Sequence, residues 1–150
     1  MDQHNPLHVI DGDIEQSKVF RVTTDNIVKL WPQIVALLDI EPVHFLTHDN
    51  DHVRNALLSS SAHLWMQWNL HTVEAIVVTQ FENFPKGLFL RAWIACALPS
   101  VKMLHDTFYD KITKWAAYYG CIAVLASGRF GWMRKYPNVQ SDGTLMRITL

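Results

Sequence analysis

The chain has 150 residues, of which 49% are hydrophobic and 18% are charged, and its formal net charge is −1. This length and composition predict a single globular domain and exclude a disordered chain. The small net charge disfavours a general nucleic-acid binder, which needs a basic face for the phosphates, and no apolar run approaches the roughly 18 residues of a membrane span.

The cysteines and the N-terminal sequence indicate the cellular compartment. Cys96 and Cys121 both lie inside apolar runs, which predicts buried free thiols in a reducing environment rather than a disulfide framework. The N-terminal sequence MDQHNPLHVIDGD has neither the basic start nor the apolar core of a secretory signal. We therefore expect a soluble cytoplasmic protein in which residues 1–18 form a polar tail without periodicity.

The first elements are a strand and two helices. Residues 18–23 (KVFRVT) alternate and are β-branched, which predicts a short strand. Apolar residues at three-to-four spacing then predict a helix from about residue 27 to 38, which kinks or starts at Pro32. A second helix is expected after THDND (47–51), where Thr47 and Asp49 are candidate caps.

Three strands are predicted next, at residues 63–68 (HLWMQW), 72–81 (TVEAIVVTQF) and 88–98 (LFLRAWIACAL). The proline and glycine of the intervening sequence ENFPKG predict a hairpin between the last two strands. Because 88–98 is apolar at nearly every position, we expect it to lie at the centre of the sheet with both faces covered.

The most regular helical pattern follows that strand. Ser100 can cap its start and Gly120 can end it. Residues 121–127 (CIAVLAS) then predict a buried strand that lies parallel to the previous one through a right-handed crossover, and SDGTLMRITL (141–150) predicts an Asp-Gly turn and a last strand. The apolar stripe of this helix comprises Val101, Leu104, Phe108, Ile112, Trp115, Ala116 and Tyr119.

The order of elements predicts an α/β domain from residue 19 to 150. Its mixed sheet has antiparallel strands followed by a parallel β-α-β unit, and helices flank it. The sequence GRFGW (128–132) is interpreted as a turn into a short last helix, with its glycines needed for backbone geometry. Arg129 within it is open to three uses: a cofactor phosphate, a neighbouring carbonyl or a carboxylate of a partner.

This order and several fragments resemble the GNAT superfamily of acyl-CoA N-acyltransferases. More narrowly, they resemble compact GNAT-like proteins encoded by bacteriophages. The resemblance runs from about Val19 to the C-terminus and implies the GNAT fold. The fragments that carry it are FRVTTDNIVKLWPQIVALL (20–38), LWMQW (64–68), VVTQFENFPKG (77–87), KWAAYYGC (114–121) and GRFGW.

The resemblance implies that a glycine-rich loop between the central strand and the main helix holds the pyrophosphate of acetyl-CoA or another acyl-CoA. Glycines permit close backbone approach, and a helix N-terminus favours an anion. Here the loop reads ALPSVK (97–102); it has no glycine, and Pro99 has no N–H group. The candidate cofactor contacts are Leu98, Ser100, Val101, Lys102 and Arg129.

An enzyme of this kind also needs a base for the attacking amine and often an acid for the thiolate. The candidate carboxylates are Glu74 and Glu82, and the candidate phenols are Tyr118, Tyr119 and Tyr136. None stands in a signature that singles it out. A solvated Glu74 and packed tyrosines are the interpretation favoured by the sequence.

Two further patterns in the sequence bear on metal binding and on protein contacts. His44, His48 and His52 recur every fourth residue, but a helix that starts after Thr47 would align only the last two, so we predict no metal site. Trp65 and Trp68 should point to opposite faces of one strand. Core packing is the expectation for both, and the alternative is that one is exposed and anchors a protein interface.

Two functions remain open. The changed phosphate loop and the missing base signature favour a catalytically silent, phage-encoded protein that acts in the host cytoplasm or the virion. Its partners would be other protein subunits, including phage structural proteins or copies of itself, and its role that of a virion or assembly component. The fold resemblance and the GRFGW sequence favour an active acyl-CoA-dependent N-acyltransferase that modifies a host or phage amine. Because of the changed loop, the sequence favours the catalytically silent protein over the active enzyme.

Overall fold

A computed structural model describes residues 17–40, 48–127, 139–142 and 145–150. Within these ranges, no helix is long and apolar enough to cross a membrane. The elements in chain order are β1 (Lys18–Arg21), α1 (Thr24–Leu38), α2 (Asn50–Leu58), β2 (His63–Asn69), β3 (Thr72–Phe84), β4 (Gly87–Ala97), α3 (His105–Tyr118), β5 (Ala123–Ser127), β6 (Val139–Asp142) and β7 (Leu145–Thr149).

The strands form one sheet in the order β1-β2-β3-β4-β5-β7-β6. Strands β1 to β4 are antiparallel neighbours, β4 and β5 pair in parallel across the α3 crossover, and β7 is antiparallel to both β5 and β6. The predicted mixed sheet, with β4 at its centre, is therefore confirmed. Strand β6 was not predicted, because the prediction for the C-terminal sequence contains a single strand.

The core consists of two layers, one on each face of the sheet. Helices α1 and α2 cover one face, where Ile34, Leu57 and Leu64 are fully buried. Helix α3 covers the other face, where Phe108 packs with Leu90. Burying one such side chain stabilises the fold by about 1.5–3 kcal/mol, so these two layers hold the central strands in place on both sides.

Strand β2 shows how the two layers share one strand. Trp65 belongs to the α3 layer and Trp68 to the α1–α2 layer, as their predicted opposite faces require. Both side chains are only 4% exposed. The expected core packing of both indoles is therefore confirmed, and the alternative of one exposed indole is wrong, because helices cover both faces of this strand.

Helix α1 differs from its prediction at Pro32. The helix begins at Thr24 and runs through Pro32 to Leu38, so the alternative in which it starts at Pro32 is wrong. In α2 the predicted cap is confirmed: the Asp49 carboxylate accepts the N–H of His52 at 2.9 Å, and the His52 side chain accepts the N–H of Asp49.

Helix α3 starts later than predicted, so Ser100 does not cap it. The Val101 N–H donates to the Leu98 carbonyl at 3.1 Å, which closes a turn over Pro99 and Ser100, and the helix begins only at His105. A proline sets the backbone for the second position of such a turn. At the other end, Gly120 has a φ of +78° directly after the helix, which confirms the predicted glycine stop.

Candidate functional site

In the middle of the sheet, strand β5 pairs with only the first part of β4. Their parallel pairing ends at Ala92 and Ala126, whereas β4 continues to Ala97 along β3. The register of β3 and β4 shifts here, because Val78 lies opposite Ile94 and Thr79 opposite Ala92. Trp93 is thus an extra residue, and such a bulge bends its strand. Among the described residues, none pairs with β4 on this side beyond the bulge, and this unpaired edge of β4 is called the gap below.

Backbone donors of β4 point into this gap. The Leu98 N–H donates to the Glu74 carbonyl of β3 at 2.9 Å. Because donors alternate sides along an antiparallel strand, the N–H groups of Ala95 and Ala97 point away from β3 and towards the gap. In the part of the chain that the structure describes, no strand pairs with β4 on this side after Ala92.

A cavity of about 140 Å³ lies between the gap and α3. Its walls include the small side chains of Ala92, Ala95 and Ala126 from the strands, and Phe108 and Ile112 from the helix. The alanines leave room that larger residues would occupy. The cavity is therefore lined mainly by apolar groups, and one of its lining residues, Ala95, carries an outward-pointing backbone donor, a combination typical of ligand sites.

Polar groups of α3 lie at the cavity wall and were missed by the sequence interpretation. His105, Tyr109 and Thr113 follow one another at a spacing of four, and all three line the cavity. The Thr113 hydroxyl donates to the Tyr109 carbonyl at 2.7 Å. The spacing is visible in the sequence, but the predicted stripe contains only apolar and aromatic residues, and the predicted helix begins four residues before His105.

The loop between β4 and α3 is held by a buried amide from β2. Gln67 is 1% exposed. Its Oε1 accepts the Leu104 N–H at 2.8 Å, and its Nε2 donates to the Lys102 carbonyl at 3.1 Å. The same Nε2 also lies 3.1 Å from Oε1 of Glu74. Gln67 therefore satisfies backbone groups that would otherwise be open to a ligand.

The predicted cofactor contacts lie around this loop, except Arg129, which is outside the described residues. The N–H groups of Leu98 and Val101 donate within the chain, to Glu74 and Leu98 respectively. Ser100 and Lys102 are exposed. A pocket of about 280 Å³ lined by residues 102–107 lies at the start of α3. Of the predicted contacts that the structure describes, Ser100 and Lys102 thus remain as candidates for a cofactor.

The candidate carboxylates are engaged in contacts that join strands. Glu74 accepts hydrogen bonds from Ser17 and Gln67. Glu82 forms an ion pair with Arg91 across β3 and β4, opposite Phe89. Phe89 is six residues before Ala95, about 20 Å along a strand. Glu82 therefore lies far from the gap.

Of the candidate phenols, Tyr136 is outside the described residues, and the other two lie at the end of α3. Tyr118 is 82% exposed and Tyr119 is 49% exposed. The Tyr119 ring packs against Trp115, with ring centroids 4.9 Å apart. Packing thus accounts for Tyr119 but leaves Tyr118 in solvent.

An imidazole lies on the opposite side of β4 from α3. The rings of His48 and Trp93 are 4.7 Å apart between centroids, and Trp93 also lines the cavity. His52 is 6.0 Å from His48, and His44 is outside the described residues. Among the residues that the structure describes, no group of three or more His, Cys, Asp and Glu side chains is placed to hold a metal ion.

Both cysteines are buried and unbridged, as predicted. Burial raises the pKa of the Cys121 thiol above its ordinary value. A raised pKa keeps the thiol protonated near neutral pH, so Cys121 is a poor nucleophile and packs as a small apolar side chain.

An aromatic cluster around Trp115 anchors α3 to the sheet. The Trp115 ring stacks on Phe81 at 5.3 Å and meets the edges of Trp65 at 5.4 Å and His63 at 4.7 Å. The Arg21 guanidinium lies 5.5 Å above the Trp115 ring. Burial, with the charge of Arg21, lowers the pKa of His63 below its ordinary value.

The lowered pKa of His63 predicts a loss of stability in acid. The unfolded chain binds a proton near the ordinary pKa of about 6.5, whereas the folded chain resists it, so stability falls as pH drops below that value. The loss has an upper limit of about 1.4 kcal/mol per pH unit, reduced by solvent screening. Urea unfolding at pH 7.5 and 5.5 should show a smaller loss for His63→Phe than for the wild type. Exposed His71 supplies the control His71→Gln, which should leave the loss unchanged; an equal loss in His63→Phe would contradict the assignment.

Comparison with known proteins supports the fold. No protein-family model matches the sequence, and no curated protein matches it with significant similarity. Among solved structures, a GNAT family acetyltransferase from Brucella melitensis in complex with acetyl-CoA has a TM-score of 0.65 at 10% identity, over 91% of this chain and 89% of that one. An aminoglycoside acetyltransferase from an uncultured soil metagenomic sample gives a TM-score of 0.66 at 9% identity, over 85% and 91%.

A third similar structure is a ribosomal-protein-alanine N-acetyltransferase from Brucella melitensis biovar Abortus 2308. It has a TM-score of 0.60 at 8% identity, and the match covers 85% of this chain and 92% of that one. These likenesses, with the mixed sheet and the gap between its parallel strands, show that the chain has the fold of GNAT acetyltransferases. The fold implied by the sequence resemblance is therefore confirmed.

Proposed function

We propose that the chain is an N-acyltransferase that takes an acyl group from an acyl-CoA and passes it to an amine. The observation that carries this proposal is the apolar cavity between β4, β5 and α3, which is lined by Ala95. The N–H group of Ala95, like that of Ala97 two residues further along β4, points away from β3. Such donors stabilise the negative charge that develops on a thioester carbonyl oxygen under attack. The acyl arm of the acyl-CoA would lie in the gap.

The reaction is a direct transfer. The amine nitrogen attacks the thioester carbonyl carbon, a C–N bond forms, and the C–S bond breaks. The thiolate that leaves takes up one proton, and the amine loses one. We propose that His48 receives the proton of the amine, because its ring lies against Trp93 at the gap and imidazole is a suitable base near neutral pH.

The class of acceptor is proposed from the neighbours. One is an aminoglycoside acetyltransferase and another a ribosomal-protein-alanine N-acetyltransferase. Both names indicate an amine acceptor, although the first is a sugar amine and the second belongs to a protein. A test panel should therefore contain an aminoglycoside such as sisomicin and a peptide that begins with alanine.

The proposal predicts thiol release from acetyl-CoA that depends on the acceptor. Release is followed with a thiol reagent, and acetylated product by mass spectrometry. Loss of a general base lowers the rate roughly 100-fold or more. The rate of thiol release by His48→Gln should therefore fall by that factor, whereas the exposed control His71→Gln should keep the wild-type rate. A full rate in His48→Gln would contradict the role of His48, and no release with any amine would contradict the proposed transfer.

A second candidate is the catalytically silent protein that acts through protein contacts in a virion or its assembly. Two observations favour it: Glu74 and Glu82 are engaged in contacts between strands, and Tyr118 exposes 82% of its surface. This candidate predicts no thiol release, together with recovery of the chain from purified phage particles. Acceptor-dependent release of thiol would overturn it.

A further inference from the structure

We infer that the acyl group transferred by this chain is an uncharged aliphatic group of about six carbons rather than acetyl, and that its tail lies in the cavity between the sheet and α3. This inference rests on the proposed function and names the class of acyl donor. The cavity has a volume of about 140 Å³. An apolar protein cavity of about 150 Å³ holds benzene, a molecule of six carbons, so an acetyl group would leave most of this space unfilled.

The cavity extends well beyond the point at which the thioester would bind. Under the proposed function the thioester carbonyl meets the N–H group of Ala95, which lines the cavity. Val124 of β5 lines the same cavity and lies opposite Leu90 of β4. Leu90 precedes Ala95 by a distance of up to about 16 Å along the strand. Ile148 of β7 pairs with Val124 and lines the cavity as well. The space therefore continues past a two-carbon acyl group, towards β5 and β7.

The walls of the cavity change from exposed to buried over this distance. Ala95 is exposed, so a thioester can reach it from solvent. At the other end Val124 and Ile148 are 2% and 3% exposed, and the α3 residues Phe108 and Ile112 are buried beside them. Apolar walls offer water no hydrogen-bond partner, whereas a ligand binds about fourfold more tightly for each CH2 group that it buries. The buried end therefore favours a hydrocarbon tail.

The polar residues of the cavity wall do not provide for a charged acyl group. Among the described residues that line the cavity there is no lysine or arginine to pair with a carboxylate. His105 lies at the start of α3 and is exposed. The Thr113 hydroxyl donates its proton to the Tyr109 carbonyl at 2.7 Å, within the helix. Because burial of an unpaired charge is strongly unfavourable, the tail should be uncharged.

The test compares acetyl-CoA with hexanoyl-CoA by calorimetric titration of the full chain. The four additional CH2 groups of hexanoyl-CoA set an upper limit of about 250-fold on the difference in affinity. We expect hexanoyl-CoA to bind at least about tenfold more tightly than acetyl-CoA. A smaller advantage, or none, would overturn the inference and leave the proposed function standing, because acetyl-CoA would still bind. If neither ligand binds, both the inference and the proposed function fail.

A pair of matched variants tests the position of the tail. Val124→Phe fills the buried end of the cavity, so the advantage of hexanoyl-CoA over acetyl-CoA should fall about fivefold or more. Val28 is 51% exposed on α1 and does not line the cavity, so Val28→Phe should keep the wild-type advantage. An unchanged advantage in Val124→Phe would overturn the inference.

A smaller substitution covers the case in which Val124→Phe prevents folding. Ala126→Val adds two methyl groups to another cavity-lining residue of β5, and a β-branched side chain suits a strand. The advantage of hexanoyl-CoA should then fall about threefold or more. An advantage equal to that of the wild type would overturn the inference.

Discussion

Ala95→Trp is expected to raise the dissociation constant of acetyl-CoA about 100-fold or more, a loss of nearly 3 kcal/mol, while the protein stays folded. Ala95 lines the cavity and is itself exposed, so its replacement does not disturb the buried layers. An indole is large against a cavity of about 140 Å³, and it would occupy the space proposed for the acyl arm.

A matched substitution separates a blocked cavity from a general effect of tryptophan. Ala117 is exposed on α3 and does not line the cavity. Ala117→Trp should therefore bind acetyl-CoA as the wild type does. Equilibrium dialysis measures the affinity, and circular dichroism checks that each variant is folded. Binding by Ala95→Trp within about threefold of the wild type would contradict a donor site in the gap.

Trp115→Ala is expected to lower the free energy of unfolding by about 3 kcal/mol, near the lower end of the range for large aromatic side chains because Trp115 is only partly buried. The substitution removes the stack on Phe81 and the edge contacts with Trp65 and His63. Each such aromatic pair adds about 0.5–1.5 kcal/mol beyond burial. Urea unfolding monitored by circular dichroism measures the loss.

The loss of stability should also affect the candidate site, because Trp115 lies on α3, the helix that forms one wall of the cavity. Loosening α3 should weaken ligand binding in Trp115→Ala, whereas Trp115→Phe retains a ring over Phe81 and should recover much of the stability. Tyr118→Ala serves as the surface control, since Tyr118 is 82% exposed and such substitutions change stability by about 0.5 kcal/mol or less. A loss below about 1 kcal/mol in Trp115→Ala would contradict the anchoring role of the cluster.

Much of the fold could be predicted from the sequence because its signals are local. Each of these signals is contained in a short stretch of sequence: the alternation in β1, the apolar runs of β2 to β5 and the glycine after α3. The start of α3 could not be predicted in this way. It depends on Gln67, which lies 37 residues before Leu104 in the chain and draws the loop onto the sheet.

The burial of both tryptophans in β2 could not be derived from the strand alone for a related reason. Period-two alternation places Trp65 and Trp68 on opposite faces but does not say what covers each face. Here α1 and α2 pack on one side and α3 on the other, so both indoles are buried. Burial depends on tertiary packing, which a single strand does not encode.

The candidate site was predicted only in outline. The resemblance indicates the loop between β4 and α3, whereas the gap follows from the register of β3, β4 and β5 and from the bulge at Trp93. The carboxylates chosen by residue type, Glu74 and Glu82, prove to have partners in neighbouring strands. Which side chains face a cavity is decided by pairing and bulges, and these are long-range properties.

The position of the acyl donor is measured most directly by NMR titration of isotope-labelled protein with acetyl-CoA. A donor in the gap predicts that the largest shift changes occur at the amides of Ala95 and Ala97 and at the methyl groups of Ala92 and Ala126, which border the cavity. Shift changes confined to other regions, or none at millimolar acetyl-CoA, would contradict a donor site between β4 and β5.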